Sequence, residues 1–120
     1  MKTRRQRRMA DFIQEEVAQI IREELSDPAL QGLITISRVE LTKDLKHAKI
    51  FYQVHGDEED EVRANRGFLR ASSYIRKLIA QRLHTKFVPE ISFVLDKPDE
   101  EQERLEALFA QIRQKKAGQD

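Results

Sequence analysis

Met9, Phe12, Ile13, Val17, Ile20, Ile21 and Leu25 recur at intervals of three and four residues. That spacing lines one face of an α-helix. Glu15, Glu16, Arg22, Glu23 and Glu24 occupy the remaining positions, and Ser26-Asp27-Pro28 ends the helix, since proline disfavours the helical conformation in the residue before it. Residues 29–32 are a connection. Leu33–Leu41 is rich in branched residues and predicts a strand. Leu45–Val54 predicts a second, with Ala48, Ile50, Tyr52 and Val54 alternating against His47, Lys49, Phe51 and Gln53. Thr42-Lys43-Asp44 between them is short enough for a hairpin.

After the acidic run Asp57–Glu61, residues 60–86 predict helix. Ala64, Phe68, Ala71, Ile75, Leu78 and Ile79 form its apolar stripe, with Arg63, Arg66, Arg70 and Lys77 roughly opposite. The segment is long for one globular helix, and the small polar pair Ser72-Ser73 lies midway, so a break is expected there. Pro89 closes the segment. Ile91, Phe93 and Leu95 alternate with Ser92, Val94 and Asp96 in a third strand, and Leu105, Leu108, Phe109 and Ile112 mark a last amphipathic helix over residues 99–116. The fold class is α+β: a three-stranded sheet with helices on one face, in the order helix, strand, strand, helix–break–helix, strand, helix. The strand order is not fixed by the pattern. Residues 1–98 form the principal unit, and residues 99–120 a C-terminal helix and tail.

The chain has 120 residues and no cysteine. The length fits one domain. The missing thiols exclude disulfides, thiolate metal sites and cysteine nucleophiles, as a reducing cytoplasm permits. No apolar run approaches the roughly 18 residues of a membrane-spanning helix, and no signal-peptide stretch opens the chain, so no membrane association is expected.

Charge changes the picture more. The formal net charge is only +1, but the charges are segregated. Residues 1–8 carry five basic residues and no acid, Asp57–Glu61 is five acids in succession, and residues 63–89 hold seven basic residues and no acid. A basic face can then meet a polyanion despite the small total. A merely solvated helix mixes signs, because opposite charges three or four residues apart stabilise it. Arg63, Arg66, Arg70, Arg76, Lys77, Arg82 and Lys86 forgo that help, and the functional expectation is a phosphate-contacting surface. The structural alternative is pairing with the chain's own acids at 57–61 or 99–106. An N-terminal arm with Arg4, Arg5, Arg7 and Arg8 orders on RNA, or else is a solubilising tail. Lys43, Lys46 and Lys49 either extend the basic face or protect a sheet edge. Stacking aromatics are few: Phe51 falls on the strand face opposite Ile50 and Tyr52 and is either an exposed ring or, as is commoner, core or partly covered, so recognition by RNA shape and phosphate is expected rather than by splayed bases.

No catalytic or metal constellation is legible. His47, His55 and His84 are scattered, the acidic run lacks the spacing and central glycine of a calcium loop, and there is no phosphate-binding glycine pattern. No cofactor or metal is expected, and the chain is expected to be a non-enzymatic monomer. Besides RNA binding, a protein-interaction module whose basic helix docks an acidic partner is consistent with the charge pattern.

Four stretches carry a family resemblance: Leu25-Ser26-Asp27-Pro28-Ala29-Leu30; Val39-Glu40-Leu41-Thr42-Lys43-Asp44-Leu45 leading to Ala48-Lys49-Ile50; Ala71-Ser72-Ser73-Tyr74-Ile75-Arg76; and Val88-Pro89-Glu90-Ile91-Ser92-Phe93. In this order, across residues 5–96, the chain resembles the ribosome-binding factor A family. The resemblance implies a type-II KH-like fold in which an Ala-x-Gly kink between two helices replaces the usual Gly-x-x-Gly loop. No Gly-x-x-Gly occurs here, and Ala71-Ser72-Ser73 has serine where the family commonly has glycine. It further implies a non-catalytic assembly factor that binds 16S rRNA in the immature 30S subunit, favours late maturation and rRNA processing, and works alongside other assembly factors or a GTPase.

Overall fold

The structure is a computed structural model that describes residues 2–31, 34–97, 107–108 and 110–114. Helix α1 (Arg4–Glu23) starts at a capping box. The Thr3 hydroxyl accepts from the Gln6 amide, and the Gln6 side chain accepts from the Thr3 amide at 2.8 Å. Gln6 is buried, and its Nε2 donates to the Leu41 carbonyl at 2.9 Å, tying the start of the helix to the end of the first strand. Residues 4–8 are therefore the opening turns of α1 and not a separate arm: Thr3-x-x-Gln6 is a helix start signal that outweighs the repulsion among four arginines.

A short 3₁₀ turn (Pro28–Leu30) follows, capped by Asp27. Strands β1 (Ile34–Leu41) and β2 (His47–Val54) pair antiparallel, with a bulge between Ile36 and Arg38. Helix α2 (Glu58–Arg82) crosses back, and β3 (Glu90–Leu95) pairs with β2 in parallel. The sheet order is β1-β2-β3. A parallel neighbour needs a crossover, and the long α2 supplies it.

The apolar stripes meet as their periods require. Ile13, Val17, Ile20 and Ile21 of α1, together with Phe68, Ala71, Ile75 and Ile79 of α2, cover one face of the sheet, against Val39, Ala48, Ile50 and Tyr52. Within that core Phe68 stacks on Phe93 with ring centroids 4.3 Å apart and tilts against Tyr52 at 4.5 Å. Such aromatic contacts add about 0.5–1.5 kcal/mol each beyond their burial.

The expected break at Ala71-Ser72-Ser73 is absent: α2 is one uninterrupted helix. Ala71 lies in the core while Ser73 is exposed, so the apolar stripe passes through unbroken and the serines, which lack glycine's backbone freedom, open no gap in it. The helix also ends earlier than expected, at Arg82, with Leu83 extended. Of the expected C-terminal helix over 99–116, residues 107–108 and 110–114 are helical; the rest lies outside the described residues.

Gly67 has a specific role. A Cβ there would meet Leu30 Cγ at 2.9 Å and the Ala29 Cβ at 3.3 Å. Its absence lets the Pro28–Leu30 turn lie directly on α2, which brings Asp27 within reach of Arg70.

Candidate nucleic-acid interface

Helix α2 begins at a second capping box, between Asp57 and Asp60, with Glu58, Glu59, Asp60 and Glu61 in its first turn, where carboxylates suit the positive end of the helix. The Asp60 amide, donating to Asp57 Oδ1 at 2.9 Å, holds the Asp57 carboxyl below its ordinary range, and the charge of Arg63 adds to this. The acidic run thus serves the helix start, and although Glu58 and Glu59 line one cleft with Arg63 and Arg66, none of its carboxylates forms an ion pair with those arginines.

The seven basic residues of 63–86 divide into two groups. Arg63, Arg66, Lys77 and Lys86 are exposed. None of them forms an ion pair among the described residues. Arg63, Arg66 and Lys77 share one outward face, at helical separations of three and eleven residues. Lys86 follows the helix, its ammonium 5.6 Å from the centre of the Phe87 ring.

The other three are fasteners. Arg70 grips Asp27 with two nitrogens, Nε at 3.1 Å and Nη2 at 2.9 Å from Oδ2. Arg76 donates to the Pro89 and Val88 carbonyls at 3.2 and 3.1 Å and pairs with Glu90 at 3.3 Å, binding α2 to the entry of β3. Arg82 joins Glu16 at 2.8 Å and Glu24, both on the α1 side. The Glu16 hydrogen bond raises the already high pKa of its guanidinium, and the Glu24 contact does so further. Arg76 and Arg82 therefore depart from the expected phosphate-facing row, because neighbouring segments present carboxylates and carbonyls at their helical positions. Arg70 keeps an exposed edge beside its clamp, with a side chain 58% accessible.

The remaining predicted cations gather at one end of the molecule. Arg4, Arg5 and Arg8 are exposed on the first turns of α1, and Lys43 and Lys46 on the hairpin turn. A shallow pocket of about 270 Å³ brings Arg5, Arg8 and Phe12 beside Leu45 and Leu83. The pairing of the Glu90 amide with the Lys46 carbonyl at 2.8 Å sets the hairpin beside the start of β3. Two segments far apart in sequence thus place cations at one end. Lys49 lies exposed on β2, the central strand, so edge protection does not account for it.

Phe51 is half-buried on the sheet face away from the helices, and the Arg38 guanidinium lies 4.0 Å over its ring. It is not an open stacking platform. Among the described residues the exposed aromatics are Phe87 (72%) and Tyr74 (47%). Both went unnoticed in the pattern: Phe87 precedes Val88-Pro89 in what reads as the end of a helix, and nothing in an apolar run distinguishes an outward ring from a core one. Among the described residues no cluster of three metal-ligating side chains occurs, and no helix is long and apolar enough to cross a membrane.

A family model described as ribosome-binding factor A matches residues 5–109. The ribosome-binding factor A of Thermomicrobium roseum is 41% identical over 116 residues, covering 97% of this chain and 89% of its own. The solution structure of a Thermotoga maritima protein superposes with a TM-score of 0.71 at 31% identity, covering 83% of this chain and 94% of that one. The Thermus thermophilus ribosome binding factor A, as fitted into a cryo-electron microscopy map of a 30S complex, shares the fold with a TM-score of 0.55 at 23% identity, covering 78% and 93%.

Proposed function

The chain belongs to the ribosome-binding factor A family, and from that membership we propose that it binds the 16S rRNA of the immature 30S subunit and promotes late maturation and rRNA processing without catalysis. The observation that carries the reading is the outward row of Arg63, Arg66 and Lys77 on α2, none of them in an ion pair among the described residues. Cations with no partner of their own release counterions when they meet phosphates, which is the main sequence-independent source of affinity for RNA. The exposed Arg5, Arg8, Lys43 and Lys46 at the end of the molecule extend the contact.

Binding alone suffices as a mechanism. A protein that prefers one conformation of the rRNA shifts the population toward it by the difference in its affinities, and it leaves when the mature particle no longer offers that conformation. The chain works as a monomer in the cytoplasm, alongside other assembly factors or a GTPase that promotes its release.

Sedimentation of cell lysate through a sucrose gradient tests this. Co-migration with free small subunits and absence from translating ribosomes is the expected result. A chain that stays at the top of the gradient, at low salt and with immature subunits present, overturns it.

A further inference from the structure

A pocket of about 470 Å³ lies between the C-terminal half of α2 and the segment leading into β3, with Lys77, Lys86 and Phe87 on its wall and Arg76 and Glu90 at its edge. We propose that it holds one unpaired nucleotide of the bound RNA, with the base on the ring of Phe87 and the adjacent phosphates against Lys77 and Lys86. This rests on the RNA-binding reading above and adds to it a base-stacking site.

Three observations support the assignment. First, Phe87 is 72% exposed, yet its backbone is fixed. The Thr85 hydroxyl donates to the Phe87 carbonyl at 2.9 Å, and Arg76 holds the next carbonyl, that of Val88, at 3.1 Å. A ring presented on an anchored backbone loses little freedom when a base settles on it. Second, the charge around the ring is complementary to a nucleotide. Lys77 and Lys86 are exposed and form no ion pair among the described residues, Lys86 lying over the Phe87 ring, while Glu90, an acid lining the same pocket, is already engaged by Arg76 at 3.3 Å. Third, the pocket is within the size range of small-ligand sites and open to solvent. An exposed ring with the Lys86 ammonium 5.6 Å from its centre and Lys77 lining the same pocket suits a nucleotide, a flat base joined to a negative phosphate, as in single-strand sites that combine aromatic platforms with a basic groove.

The test uses the full chain and an unstructured RNA of about eight nucleotides, within the span one small domain covers, carrying 2-aminopurine as the reporter base. Binding is followed by anisotropy and stacking by quenching of the 2-aminopurine fluorescence. Quenching on binding is expected. Phe87→Ala is expected to abolish the quenching and weaken binding about 5- to 150-fold, the equivalent of the 1–3 kcal/mol contributed by one stacked base. Phe87→Trp restores both, whereas Phe87→Leu restores neither, which separates stacking from simple apolar contact. Lys77→Ala and Lys86→Ala weaken binding and lower its salt dependence while the quenching at saturation persists. RNA binding that is unchanged by Phe87→Ala and shows no quenching overturns the stacking site and leaves the phosphate-binding face intact. If Phe87→Ala then weakens attachment only to whole particles, the ring meets a protein instead, and the proposal fails equally. Absence of any RNA binding by the wild-type chain at low salt overturns the underlying RNA reading itself.

Discussion

Arg66 and Arg82 are the same residue type on the same helix, sixteen positions apart, within one acid-free stretch. Arg66 projects to solvent with no partner among the described residues, while Arg82 is held between Glu16 and Glu24. The difference lies in what other segments place opposite each helical position. Arg70 meets Asp27 from the Pro28 turn, Arg76 meets Glu90 of β3, and Arg82 meets the acidic side of α1. Arg63, Arg66 and Lys77 lie on the arc where no described residue offers an ion-pair partner. A run of like charge along a sequence therefore does two jobs at once: some cations hold the fold together, and the leftover ones remain available to a polyanion.

The strongest way to break that division is to reverse the free group. Arg63→Glu/Arg66→Glu/Lys77→Glu is expected to lower affinity for small-subunit rRNA by on the order of 100-fold or more at moderate salt. The log–log salt slope should shrink by about 2–3, since each phosphate contact contributes roughly 0.7–0.9. The melting temperature stays nearly unchanged, because no described partner is lost. Filter binding across a salt series, with a parallel thermal melt, checks both. A triple variant with wild-type affinity would remove the face from the binding surface.

Gly67→Ala acts on the fastened group. The new methyl meets Leu30 Cγ at 2.9 Å and pushes the Pro28–Leu30 turn off α2. Overpacking of this kind costs about 1–3 kcal/mol, against a helix-propensity gain of about 0.5–1 kcal/mol. A net loss of stability is expected, readable as a lower urea midpoint. The same shift loosens Asp27 from Arg70, so RNA affinity is expected to hold or rise. A variant more stable than wild type would mean that the turn relaxes freely and the glycine is not what allows the clamp.

Arg82→Ala has a smaller effect and falls on stability alone. It leaves Glu16 and Glu24 without their shared cation, in a partly solvated site where water replaces much of the loss. Arg82→Lys recovers only part, because a single ammonium does not span two carboxylates as the guanidinium fork does. RNA affinity is expected to be unchanged in both. If Arg82→Ala weakened RNA binding as much as Arg66→Ala, the two groups would not be distinct.

The element order and the core were legible because both rest on periodicity. The stripe Phe68, Ala71, Ile75, Ile79 and the alternation Ala48, Ile50, Tyr52 read directly as buried faces. The capping box at Thr3 was not read from the sequence, where the four arginines beside it suggested an arm. The Ser72-Ser73 break was read from composition, which has no access to the uninterrupted hydrogen bonding of the real helix. The site was half legible: that 63–86 is basic is a property of the sequence, but which cations stay free depends on Asp27, Glu90, Glu16 and Glu24 arriving from elsewhere. Phe87 escaped for the same reason, since its exposure follows from the helix ending at Arg82 and from Arg76 drawing the next residues toward α2.

The smallest effect is a pH dependence, and it distinguishes a clamped arginine from a free one without touching RNA. The Ala29 amide donates to Asp27 Oδ1 at 3.0 Å, and this bond, followed by the Arg70 guanidinium, holds the Asp27 carboxyl below its ordinary value of 3.8. A carboxyl whose pKa is lower folded than unfolded stabilises the fold fully above the unfolded value. That contribution drains away as pH falls from there through the folded value. Urea unfolding between about pH 5 and pH 3 should show Asp27→Asn losing stability less steeply than wild type, although it begins lower at neutral pH. Arg70→Gln should flatten the same limb in part, since the Ala29 amide remains. Arg66→Gln should leave it unaltered, because Arg66 forms no ion pair with a described carboxylate. An acid limb equally steep in wild type and Arg70→Gln would mean that the Arg70 clamp does not persist in solution, and Arg70 would then join the free group.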